Sequence, residues 1–115
     1  MSTSSIATAF SNGRFDEALD FIAEDAIWTI VGESQLVGKA AIEVHCGQVA
    51  QYFKSVTTNF KTEHIIEDDH HVVVSGTAEF LRDEQRLSFI SACDVYEFNK
   101  QGLIAKVTSY CIQEK

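Results

Sequence analysis

The sequence predicts an α+β domain in which helices come first and pack on one face of a curved, mainly antiparallel sheet. Two observations predict this class. Up to about residue 56 the apolar residues recur mostly at helical spacing, and beyond it their period drops to two. A chain of 115 residues with no proline, repeat or low-complexity tract also fits one domain, 1–115.

The elements read in the order ααβαββββ. Ser4 or Ser5 can cap a first short helix carrying Ile6, Ala9 and Phe10, which Asn12-Gly13 stops. A second helix places Phe15, Ala18, Leu19 and Ile22 on one face, with Asp16 and Glu17 in its first turn. "AIWTIVG" (26–32) reads as a strand, with Trp28 and Ile30 sharing a face. Residues 38–56 form the third helix, whose stripe runs Ile42, Cys46, Val49, Phe53. His45 and Tyr52 lie at the margins of that stripe.

The meander follows. Residues 58–68 put Phe60, Thr62, His64 and Ile66 on one face, and 71–81 set Val72, Val74, Gly76, Ala78 and Phe80 against Val73, Ser75 and Thr77. Residues 86–98 and 103–112 continue as strands, joined by the turn "NKQG".

Composition excludes several functions. A net charge of −8 disfavours nucleic acid or an anionic membrane surface, since both reward Lys and Arg. No stretch approaches the ~20 apolar residues that span a bilayer. "MSTSSIATAF" lacks a basic segment before an apolar run, so no signal peptide is expected. Cys46, Cys93 and Cys111 are odd in number and far apart, which predicts reduced, mostly buried thiols in a cytoplasmic protein.

One residue stands out. In "SACDVYEF" (91–98) Asp94 interrupts a strand that otherwise reads as buried. An ionised carboxylate in apolar surroundings is costly unless paired, hydrogen-bonded or held neutral. Alternation puts Asp94 with Ile90, Ala92, Tyr96 and Phe98, while Leu87, Phe89, Ser91, Cys93 and Val95 take the other face. Neither face is polar, which predicts a cover on both: helices on one, a second subunit on the other. The last strand groups Ala105, Val107, Ser109 and Cys111 on a small, mostly apolar face, which suits a pocket under the helices.

"FDEALDFIAEDAIWTIVGESQLVGKAAI" (15–42) and "CDVYEFNKQGLIAKVTSYC" (93–111) resemble the two ends of the nuclear transport factor 2-like superfamily, which includes SnoaL-like polyketide cyclases and ketosteroid isomerase. The resemblance spans nearly the whole chain. It implies a cone of three helices on a strongly curved sheet, a ligand pocket inside, and dimers formed through the sheet. In ketosteroid isomerase, itself a standard illustration of pKa tuning, a Tyr and a protonated Asp form the oxyanion hole and a second Asp is the base. Asp94 matches the oxyanion Asp, but Ile6 falls at the Tyr position and Ile30 at the base position. The polyketide cyclases instead use one acidic pocket residue as general acid/base.

Asp94 is thus the expected pocket acid, with His64 as a possible partner on the same inner face; a bulge in its strand would turn His64 outward. Trp28, Ile30, Tyr52, Phe53, Tyr96, Val107, Ser109 and Cys111 are the expected substrate-lining residues. "EDDHH" (67–71) offers carboxylates and imidazoles, but at a hairpin tip such residues are ordinary turn chemistry, and no metal or cofactor is expected. Two function classes follow. One is cofactor-free acid/base catalysis on an apolar cyclic or carbonyl-containing compound, isomerase-, cyclase- or lyase-like; the other is a non-catalytic ligand-binding or dimerisation module.

Overall fold

A computed structural model describes residues 1–114; Lys115 lies outside the described residues. Helix α1 spans Thr3–Ser11, α2 Phe15–Ala18 with a 3-10 turn at Leu19–Phe21, and α3 Lys39–Lys54. The strands are β1 Ile22–Ile30, β2 Ser34–Val37, β3 Thr57–Glu67, β4 His71–Arg82, β5 Gln85–Phe98 and β6 Ile104–Gln113. They form one six-stranded sheet in the order β2-β1-β6-β5-β4-β3. Among the described residues, only β1 and β6 run parallel. Three helices on a mostly antiparallel sheet is the expected class.

Three elements differ from the sequence reading. The cap of α1 is Ser2, whose hydroxyl accepts from the Ser5 N–H at 3.1 Å, so Ser4 and Ser5 are already inside the helix. The second helix is one turn long, and Ile22 opens β1 by pairing with Ile104. Sheet pairing there overrides the helical spacing of Phe15, Ala18, Leu19 and Ile22. Strand β2 was not expected: its four residues fold back on β1 around Gly32 (φ 83°), and none is fully buried, so they carry no alternation.

The inner face of the sheet is the one the meander's period assigned. Val72, Val74, Ala78 and Phe80 of β4, Tyr96 and Phe98 of β5, and Ile104, Val107 and Ser109 of β6 are all buried. Ile6, Ala7, Ala9 and Phe10 of α1 and Ile42 and Cys46 of α3 close over them. Residues 99–102 make the expected turn, with the Asn99 side chain accepting from the Gln101 and Leu103 N–H groups.

A bulge breaks β3. Thr62 pairs with Gly76 but His64 pairs with Ser75, leaving Glu63 as the extra residue. A Cβ at Gly76 would collide with the Lys61 carbonyl, so glycine is what lets the two backbones approach there. Beyond the bulge every side chain of β3 changes face.

Candidate functional site

Between α1, α3 and the inner face lies a cavity of about 220 Å³. Phe10, Phe15, Trp28, Phe53, Phe60 and Phe80 form the aromatic part of its wall. These rings pack edge-on or stacked, as in the Phe10–Trp28 (4.9 Å) and Phe53–Phe80 (5.6 Å) pairs. Below them runs a row of small side chains across four strands: Thr62, Gly76, Ala92 and Cys111. Large residues above and small ones below leave the space open.

Asp94 borders this cavity, flanked in register by Val74 and Ser109. The Ser11 hydroxyl, at the last residue of α1, donates to Asp94 Oδ2 at 2.7 Å. The same Ser11 oxygen lies 2.6 Å from the hydroxyl of Tyr96. Across β6, the Trp28 indole N–H donates to Ser109 Oγ at 2.9 Å. No fully buried side-chain nitrogen or oxygen lacks a partner among the described residues.

Burial pushes the Asp94 carboxyl above its ordinary range, against the opposing effect of the Ser109 and Ser11 hydroxyls. Tyr96, wholly enclosed and next to the Asp94 charge, has its phenol pushed far up and stays protonated. Cys111, although exposed at the rim, is pushed up to about 11 by partial desolvation and by the charges of Asp94 and Glu33. A thiol that weakly acidic is a poor nucleophile at neutral pH.

Of the expected site residues, Asp94, Trp28, Ile30, Phe53, Ser109 and Cys111 line the cavity together. Four do not. His64 lies on the outer face, exposed, with its Nδ1 3.1 Å from Ser75 Oγ, because the bulge at Glu63 reverses the alternation on which its placement rested. Tyr52 does not line the cavity and is 43% exposed, since it lies one residue, about 100° around the helix, from the lining Phe53. Tyr96 and Val107 pair with each other in the filled core beside the cavity rather than on its wall. Cys111, expected to be mostly buried, is exposed at the rim, whereas Cys46 is buried; all three cysteines are free.

The sequence reading missed Ser11, and it treated His45 as a boundary residue although it lines the cavity edge-on to Trp28 at 5.1 Å. Spacing offered a signal for Ser11. It follows the buried Ala7 by four residues and so shares the inner stripe of α1. The "EDDHH" turn is held by the Asp68 carboxylate, which accepts from the N–H groups of His70 and His71 and from the His71 ring. Those bonds hold Asp68 below the usual carboxylate range. Asp68 is thereby committed to its own turn.

A cone of helices and curved sheet around an aromatic cavity with one half-buried carboxyl defines a small-molecule-pocket fold. The SnoaL-like domain family matches residues 4–107, and the chain belongs to that family. No curated protein matches the chain in sequence. A nuclear transport factor 2-like protein of unknown function from Cytophaga hutchinsonii is 28% identical, with 94% of each chain covered and a TM-score of 0.84. An epoxide hydrolase of the LEH-like type from M. tuberculosis is 21% identical over 91% of this chain and 75% of its own, with a TM-score of 0.67. A putative polyketide cyclase from Xanthomonas campestris is 17% identical over 94% of this chain and 88% of its own, with a TM-score of 0.72. The last two likenesses are of fold.

Proposed function

We propose that this chain uses its SnoaL-like pocket for cofactor-free acid/base chemistry on an apolar cyclic or carbonyl-containing compound. The reaction would be isomerase-, cyclase- or lyase-like, with Asp94 exchanging the proton. The observation that carries this reading is a carboxyl raised by burial at the wall of an aromatic cavity, with hydroxyls as its close neighbours. Neighbours of the same fold named epoxide hydrolase and polyketide cyclase add support. With His64 outside the cavity, His45 is the imidazole left to assist.

Deuterium exchange tests this. Small cyclic ketones incubated with the protein in D2O should exchange hydrogens beside the carbonyl faster than in buffer, read by NMR. Asp94→Asn should return the rate to that of buffer while keeping the fold. Binding of the ketones without exchange would sink catalysis and leave the second reading, a non-catalytic binding module. Ile6 and Ile30 favour that second reading, because both are buried where the resembling isomerase would carry its Tyr and its base.

A homodimer through the outer sheet face belongs to the same proposal. Ile66, Tyr110 and Ile112 are 63%, 47% and 71% exposed there. Sedimentation should give twice the chain mass, and Tyr110→Asp should give a monomer. Three free thiols suit a reducing, cytoplasmic setting.

A further inference from the structure

The hydroxyls around Asp94 have a direction. Tyr96 is fully buried, and among the described residues its hydroxyl has one side-chain partner, Ser11 Oγ at 2.6 Å. A buried O–H left without an acceptor is costly, so Tyr96 donates to Ser11. Ser11 then gives its own hydrogen to Asp94 Oδ2 at 2.7 Å. On the other side the Trp28 indole has a hydrogen to give and no lone pair to accept with. It donates to Ser109 Oγ at 2.9 Å, which leaves the Ser109 hydrogen for Asp94, its register partner.

One chain of hydrogen bonds therefore begins at Tyr96 and ends on the Asp94 carboxyl, and a second leaves the Ser109 hydroxyl beside it with a hydrogen to give. Neither can reverse without stranding a buried donor. A ligand entering the cavity meets a carboxyl whose Oδ2 already accepts, at a wall of aromatic rings interspersed with polar groups such as Asn12, Glu33, His45 and Lys61.

We propose that the pocket selects single-ring compounds bearing a hydroxyl, which donates to Asp94, over ketones and ethers of the same size. Tyr96, Ser11, Trp28 and Ser109 are positioning residues that hold the carboxyl in this role. The inference rests on the pocket reading given above and specifies the ligand group that faces Asp94. A cavity of about 220 Å³ accommodates one ring of this kind.

The chain has a single tryptophan, Trp28, so its indole N–H gives one side-chain resonance at the cavity wall. Titrating phenol, anisole and cyclohexanone against that resonance by NMR reads occupancy directly. Phenol should bind about tenfold more tightly than either of the others, the scale of one hydrogen bond to a charged acceptor. Asp94→Asn, which adds a donor, should level the three; the same spectrum reports whether it is folded. Ser11→Ala should raise the pH at which the Asp94 carboxyl carbon titrates, and Ser11→Thr should restore it.

Cyclohexanone binding as tightly as phenol would overturn this inference and leave the pocket reading standing. An Asp94 titration unmoved or lowered in Ser11→Ala would likewise overturn it. If none of the three probes moves the Trp28 resonance, both readings fail.

Discussion

Tyr96 and Asp94 are two residues apart on one face of β5, yet they live in different surroundings. Tyr96 lies in a filled row between Val72 and Val107, with Phe10 edge-on at 5.9 Å. Asp94 begins the open half, where the next row is Gly76, Ala92 and Cys111. Helix α1 ends at Ser11, and the chain turns at Gly13 (φ 77°), where a Cβ would strike the Phe53 ring at 2.7 Å. The cavity is made by where a helix stops and by small side chains in a row. Polarity has little part in it.

The sharpest way to break this contrast is to truncate one residue in each half. Ile104→Ala, fully buried in the closed half, should cost about 2–5 kcal/mol in chemical denaturation, the range for emptying a packed site. Ile90→Ala, at the cavity, should cost under about 1.5 kcal/mol because its removal enlarges a space that is already there. Equal costs would mean that the open half is as tightly packed as the closed one.

Gly76→Ala should follow in size, at about 1–3 kcal/mol, because the new methyl meets the Lys61 carbonyl backbone. A neutral result would show that the bulge does not depend on close approach at that residue.

Asp94→Asn should change how stability depends on pH. The native carboxyl has its pKa raised above the ordinary 3.8, so the folded state holds its proton more tightly than the unfolded chain. Its ionisation therefore costs stability as pH rises from below 3.8 through the raised value. The variant should lack this pH dependence, so its melting temperature relative to the wild type should rise from acid to neutral pH. A gap independent of pH would remove burial as the cause.

His64→Ala should do least, within about 0.5 kcal/mol, and leave probe binding unchanged, as an exposed outer-face residue requires. Weakened binding would put His64 back inside.

The same contrast explains what could be read in advance. The face of Asp94 followed from alternation alone, because β5 keeps an unbroken register from Ser88 to Glu97. His64 failed by the same rule, since one inserted residue in β3 is invisible to a period count. Trp28 and Phe53 were legible as large apolar residues on inner stripes. Ser11 was legible only as a position on the inner stripe of α1: its importance comes from a carboxyl and a phenol more than 80 residues away, which meet it only once the helix is laid on the sheet. Short β2 left no trace because exposed strands need no apolar pattern.

The parallel pairing of β1 with β6 also governs how the molecule assembles. Trp28 must find Val107 across more than half the chain, whereas β3 to β6 join neighbour to neighbour. The meander can form from local contacts, but β1 and β2 have no edge to dock on until β6 is in place. Closing so distant a contact is entropically expensive and slows folding. The cavity, enclosed by α1 on one side and the meander on the other, should therefore be among the last features to appear as the protein folds, and the first to open under denaturant.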